Sequence, residues 1–367
     1  MSIRTQDIIN YMEKVSPSKY AYEWDNVGLI IGDSKQDINR IMVALDATEE
    51  VVDEAIKQNV DIIITHHPMI FKGIKRVTSA DFLGRKIIKL IKNNISLFSA
   101  HTNFDAVGSL SDELAKKLEL REIDFLDSSR REKLYKLVVF VPITHAEQVR
   151  TVICEKGAGH LGNYSHCTYN LIGEGTFKPL KEATPFIGEK EKLTEVKEIR
   201  IETIIKEKDL NSVLNAMFSA HPYEEVAYDI YLLQQKGDVI GIGRIGSLEE
   251  NMTIREFAKI VKENLRVNSI RVYGDLDKII KNVAVSPGKG ISSIKNAIMK
   301  KVDIMVTGDI DYHTSIDALQ EGLPLIDVGH FATEHIIVDY IIDLLNRKFG
   351  NKITLIRATE QRPFKTI

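Results

Sequence analysis

Short apolar, β-branched runs that each stop on a titratable residue recur along the chain, separated by stretches of helical periodicity. Ile41 to Leu45 closes on Asp46, Ile62 to Thr65 closes on His66-His67-Pro68, and Ile95 to Ala100 closes on His101, with Asp105 just beyond. Runs this short and this branched read as interior strands, and Pro68 cannot continue a ladder. Helices are predicted over 49–59 and 81–93. A helix between neighbouring strands is a crossover, so the strands are expected to be parallel with right-handed connections. Open α/β sheets gather their ligands at the carboxyl ends of the strands, which places Asp46, His66, His67, His101 and Asp105 at one sheet edge. Ahead of these units, Ile3, Ile8, Ile9 and Met12 share the face of a helix over 3–14, ended by Ser16-Pro17. The only tryptophan, Trp24, lies beside Asp25-Asn26 and Gly28, a pattern that suits a substrate-facing loop and a packed aromatic beside a turn equally well.

From 128 to 236 the alternation of strand and helix changes. Strands are predicted over 135–141, 200–205 and 227–233 and helices over 144–157 and 208–218, with a glycine-rich, turn-rich stretch over 157–192. This mixture suggests an inserted ferredoxin-like α+β domain. The first pattern then resumes: a helix over 253–264 with Thr253 as N-cap, a strand over 269–273, a strand running into Ser286-Pro287-Gly288-Lys289-Gly290, a helix to 300, a strand from Val302 closing on Gly308-Asp309, a strand from Leu323 leading to His330, and a helix over 332–345. The two series align. Val60-Asp61 falls on Val302-Asp303, Thr65 on Thr307, and His101-x-x-x-Asp105 on His330-x-x-x-Glu334. The fold class expected is α/β, with two similar facing α/β domains forming a duplicated core (1–127 and 237–367) interrupted by the insert (128–236). Chance likeness among buried strands is the competing account.

Charge at the end of a buried strand costs free energy unless it serves a ligand or metal. His66, His67, His330, Asp105 and Glu334 are too many donors for one tetrahedral zinc and suit two divalent ions bridged by a carboxylate and a water, an arrangement that holds an attacking hydroxide for hydrolysis. Nitrogen and oxygen donors fit Zn, Fe, Mn, Co or Ni. His101 is an outer partner or a spare ligand, Asp46 and Asp309 are further outer-sphere candidates, and a general base falls among Asp46, His101 and Asp309. The Ser286 loop lacks Walker spacing and reads as a plain βα turn, although its glycine N–H groups are of a kind that can face an anion.

Composition narrows the classes. Two cysteines without CxxC spacing argue against a disulfide scaffold or a thiolate site and for a reducing compartment. A net charge of −3 gives no support for a basic face, although clustered cations could still form a local patch, and a nucleic-acid partner is disfavoured. No apolar run is long enough to cross a bilayer, and the opening residues lack a signal-peptide core, so a cytoplasmic protein without membrane attachment is expected.

The motifs WDNVGL (24–29), THHP (65–68), HTNFD (101–105), TGD (307–309) followed by Tyr312-His313, and GHFATE (329–334) together resemble the NIF three-like family, whose members are often labelled GTP cyclohydrolase I type 2 homologues. The resemblance covers nearly the whole chain. It implies a di-metal site on facing α/β domains with His66, His67, Asp105, His330 and Glu334 as ligands, Glu334 bridging, and a toroidal homohexamer. The insert resembles the PII/CutA-like domain of the longer bacterial members. The function expected is a metal-dependent hydrolase, zinc being the first choice of metal, acting on a small nucleotide- or phosphate-bearing substrate. The alternative is a non-catalytic metal-binding regulatory or chaperone-like protein whose insert senses a ligand.

Overall fold

The computed structural model describes residues 2–107, 109–360 and 364. The chain forms two compact units, one of Met1–Ser129 with Ile240–Ile367 and one of Arg130–Val239.

In the first unit a five-stranded sheet runs in the order Thr354–Arg357, Arg40–Ala44, Ile62–Thr65, Ser96–Ser99, Gly28–Ile31. The first four strands are parallel and Gly28–Ile31 is antiparallel at the edge. The crossovers are the helices Glu49–Lys57 and Phe82–Lys92, begun by Thr48 and Asp81, whose side chains accept the N–H groups of Val51 and Gly84. The period of two along each strand divides the side chains between two cores. Ile41, Val43, Ile62, Ile64 and Phe98 pack with Ile337, Ile341 and Leu345 of the helix Ile336–Phe349. Met42, Ala44, Ile63 and Leu97 pack with Val51, Val52, Ala55 and Leu90 of the two crossovers. Both faces are therefore covered, and every residue of Ile62–Thr65 is buried. Each isoleucine fully withdrawn from water contributes roughly 1.5–3 kcal/mol, so the stem that carries His66-His67 is firmly held.

A second, six-stranded sheet of the same unit runs in the order Arg271–Tyr273, Leu325–Asp327, Ile304–Gly308, Ile279–Lys289, Arg244–Thr253, Arg121–Phe125. Leu325–Asp327, Ile304–Gly308 and Ile279–Lys289 are mutually parallel, and the flanking strands are antiparallel. Val283, Val285, Ile304, Val306 and Ile326 face Leu114, Phe257 and Val261, whereas Ala284, Met305 and Leu325 face Ala297 and Ala318.

Three departures from the sequence pattern have physical causes. Gly28–Ile31 and Thr354–Arg357 are edge strands with no buried residue, so they lack the apolar run that marks an interior strand. The closing helix is two pieces, His330–Glu334 and Ile336–Phe349, broken at His335. In the unit Arg130–Val239, the stretch 157–192 is not all turn: Thr168–Phe177 is a ten-residue strand paired along its whole length with Thr194–Lys206. It is an edge strand with mostly exposed side chains on both faces, which leaves no apolar alternation to read. The sheet of this unit runs Thr168–Phe177, Thr194–Lys206, Leu134–Pro142, Tyr228–Leu232, antiparallel throughout, with the helices Ala146–Glu155 and Leu210–Ala220 sharing its core of Val139, Val149, Ile153, Ile201, Val213 and Met217. Among the described residues, no helix is long and apolar enough to cross a membrane.

Candidate metal centre

Asp46, His66, His67, His101, Asp105, Asp309, His330 and Glu334 all belong to the first unit. His66-His67 follow Thr65 directly, while Asp105 and Glu334 are carried by the short helices Thr102–Ala106 and His330–Glu334. The two His-x-x-x-acid pairs are not at equal distance from their strands. Thr65 pairs with Ser99 and Thr307 with Asp327, so His101 comes two residues after its strand and caps its helix, but His330 comes three after and lies inside its helix.

The four imidazoles at this edge have their Nδ1 atoms on oxygen. His66 meets the Ala100 carbonyl at 2.9 Å, His67 meets Asp46 Oδ1 at 2.9 Å, His101 meets Asp25 Oδ1 at 3.0 Å and His330 meets Asp309 Oδ2 at 2.8 Å. Carbonyl and carboxylate oxygens only accept, so Nδ1–H is the donor in each pair and Nε2 is the atom left to face the site. The donor atoms converge in two groups, His66, His67 and His101 in one and His67, His330 and Glu334 in the other, each within 4.8 Å and sharing His67. Asp105 Oδ1 lies 3.7 Å from His66 Nε2. Glu334 Oε2 lies 2.9 Å from His67 Nε2 and 2.8 Å from His330 Nε2.

His66 Nε2 and Asp105 Oδ1 are buried with no hydrogen-bond partner, and Glu334 Oε2 is buried against the two imidazole nitrogens. A buried polar atom left in this way costs free energy unless a ligand satisfies it. Burial drives the His66 imidazole down to about 3, so it stays neutral. Burial also disfavours the charged His67, but contact with Asp46 and Glu334 outweighs it and raises that imidazole to about 10. Contact with Glu334 likewise raises His330 to about 9. Burial, and then the charge of Glu334, push the Asp105 carboxyl well above the ordinary range. Burial acts on Glu334 in the same direction, yet the His330 and His67 contacts hold it far below its ordinary value. Two acids under opposite pressure, beside imidazoles that present Nε2, form a donor set that a divalent cation fits. No thiolate belongs to it: Cys154 and Cys167 lie in the other unit.

Glycine makes room for this arrangement. A Cβ on Gly288, whose φ is +60°, would lie 2.0 Å from Glu334 Oε1, and one on Gly308 would lie 2.7 Å from the backbone of Gly329 and His330. The Ser286 loop does not offer its glycine N–H groups to an anion, because Gly288 N–H donates to Thr333 Oγ1 at 2.9 Å and Gly290 N–H to Thr307 Oγ1 at 3.0 Å. Sequence reasoning misses Asp25 as a working residue. Its buried carboxylate accepts from His101 and from the N–H and hydroxyl of Thr102, and although burial opposes the charge these bonds draw it down to about 2. The signal was the Trp24-Asp25-Asn26 turn, in which the Asp25 side chain is buried and Trp24 is exposed. Glu360, accepting from the N–H groups of Leu45 and Asp46, leaves no such mark.

Fold and donors together define an α/β protein with a candidate metal centre built from imidazoles and carboxylates. The chain belongs to the Duf34/NIF3 (NGG1p interacting factor 3) family, whose sequence model matches residues 3–363. A Bacillus subtilis protein named GTP cyclohydrolase 1 type 2 homolog is 44% identical over 99% of this chain and 98% of its own length. The crystal structure of a Bacillus cereus protein related to NIF3 superposes with a TM-score of 0.87 at 41% identity, covering 100% of both chains. A Staphylococcus aureus protein of solved structure superposes with a TM-score of 0.75 at 28% identity, covering 100% of this chain and 99% of its own.

Proposed function

We propose that the protein binds two divalent metal ions, zinc in the first instance, and hydrolyses a small nucleotide- or phosphate-bearing substrate. The observation that carries this reading is the convergence of two donor groups on one imidazole, His67, beside two buried atoms, His66 Nε2 and Asp105 Oδ1, that lack hydrogen-bond partners. His66, His67, Asp105, His330 and Glu334 are the residues that would hold the ions. A metal pair of this kind supplies Lewis acidity and makes water a nucleophile near neutral pH. The chain's own part is positioning. Asp46 and Asp309 hold the Nδ1 protons of His67 and His330, and Asp25 holds that of His101, so that His101 Nε2 is the proposed proton acceptor beside the substrate.

The same proposal takes the core as a duplication. Asp61 accepts the N–H groups of Asn39 and Arg40 at 2.7 and 2.8 Å, and Asp303 accepts those of Lys281 and Asn282 at 2.9 and 2.7 Å, one device at the start of both parallel series. The order βαββαβ in Arg130–Val239, with its strands ranked 4-1-3-2, supports a ferredoxin-like insert. Assembly as a homohexamer follows from the family resemblance, and sedimentation velocity tests it.

Metal analysis of protein purified without added metal is expected to find about two divalent ions per chain. Glu334→Gln is expected to lose metal and any metal-dependent turnover on a panel of nucleotides and phosphoesters. Full metal content in that variant, or none in the parent protein, would overturn the reading.

A further inference from the structure

Trp24 is 60% exposed, although tryptophan has more apolar surface to hide than any other residue. Its exposure is not the slackness of a free loop. Tyr22 N–H donates to Thr102 Oγ1 at 3.0 Å, Asp25 N–H donates to the Tyr22 carbonyl at 3.0 Å, the Asp25 carboxylate is bound to His101 and Thr102, and the Asn26 side chain donates to the Ile70 carbonyl at 2.6 Å. The backbone on both sides of the ring is thus fixed to the segments that carry the donor groups. Tyr22 stacks beside the indole, with centroids 5.9 Å apart and planes 18° apart. The indole meets His101 edge-on at 5.9 Å, and Phe71, itself 48% exposed, meets the same imidazole at 5.9 Å and 87°. Two open aromatic rings therefore flank the imidazole of the first donor group. Beyond Phe71, residues 72–80 are exposed and carry Lys72, Lys75 and Arg76.

Rigid, exposed rings beside unsatisfied donors suit a flat ligand, because any nucleobase has a face to stack and stacking asks little of sequence or substituents. Neighbouring cations suit a phosphate on the same ligand. We propose that Trp24 and Phe71 form a stacking subsite for the planar heteroaromatic ring of a nucleotide, seated against His101. This rests on the proposed function only in placing the substrate at the metal centre.

Trp24 is the only tryptophan of the chain, so its emission reports on the subsite without any need for turnover. AMP, GMP and UMP titrated into the metal-loaded full-length protein, excited at the red edge of indole absorption, are expected to quench emission saturably, and ribose 5-phosphate is not. Calorimetry is expected to show Trp24→Ala weakening the same nucleotides roughly 5- to 100-fold, Trp24→Phe recovering most of the loss, and metal content unchanged in both. Absence of quenching by all three nucleotides, or equal affinity in Trp24→Ala, overturns the subsite while leaving the metal centre intact; absence of metal overturns the centre instead. If emission follows protein concentration and Trp24→Ala lowers the oligomeric state, the rings are an interface between copies and the subsite is overturned.

Discussion

Gly288 and Glu334 compete for the same space. An added methyl at Gly288 meets Glu334 Oε1 at 2.0 Å on a backbone already at φ +60°, so Gly288→Ala must displace the carboxylate or distort the loop. The expected result is loss of bound metal with no ligand altered, together with a fall in stability of about 1–3 kcal/mol, read by metal analysis and urea unfolding. Retention of the full metal content would show that Glu334 is not a ligand in that position. Protons are the second lever at this scale. In the metal-free protein His67 and His330, raised to about 10 and about 9, are both charged at neutral pH. An ion entering between them must displace those protons, so uptake at pH 7 is expected to release about two and to tighten as pH rises. Calorimetry in buffers of different ionisation enthalpy counts them, and uptake without release would contradict the geometry. The sign for stability is opposite. The metal-free protein holds the benefit of the charged pairs in full below the ordinary imidazole value of 6.5 and loses it as pH climbs through about 9 and about 10. All of the imidazoles were legible in the sequence because each ends or closely follows an apolar strand. Asp25 was marked only by the Trp24-Asp25-Asn26 turn, which suits a packed aromatic beside a turn equally well, and Gly288 was not legible, because nothing local distinguishes a glycine under steric pressure from its many ordinary equivalents.

At the scale of elements, Asp61 and Asp303 set the start of the parallel strands. Each carboxylate accepts two consecutive N–H groups of the neighbouring strand. Asp61→Ala and Asp303→Ala are each expected to cost about 1 kcal/mol, the upper range for charge-assisted bonds being reduced by partial access to water. Both variants are expected to keep their metal, since the change lies at the strand ends opposite the donors. Thermal unfolding and metal analysis on the same samples read this, and metal loss without unfolding would mean the register of the donor edge depends on these caps. The interior parallel strands and the capped helices were readable to within a few residues, because full burial and capping both leave a mark on composition, whereas the half-exposed Arg244–Thr253 and the first half of Thr194–Lys206 were not. Thr168–Phe177 and the edge strands of the first sheet were not, because their pairing is made by backbone, which carries no sequence signal.

For the whole molecule the question is whether the unit Arg130–Val239 is needed by the proposed metal centre. Every donor belongs to the other unit, and within that unit the two chain ends adjoin the break closely: Leu126 N–H donates to the Gly243 carbonyl at 3.2 Å, and a Cβ on Gly241 would lie 2.0 Å from the Asp127 carbonyl oxygen. A short Gly/Ser linker in place of residues 130–239 therefore has little distance to span, and closing so short a loop adds little entropy. The shortened protein is expected to fold, since its two sheets keep their own cores, and to bind the same metal complement as the full chain. If it folds by circular dichroism yet holds no metal, the excised unit contributes to the centre in a way its own residues do not reveal, and the separation of metal chemistry from that unit falls. If metal stays and any turnover stays with it, the unit Arg130–Val239 acts on something other than the reaction. Loss of turnover with metal retained would instead assign it to substrate delivery or assembly, which the oligomeric state of the same sample distinguishes.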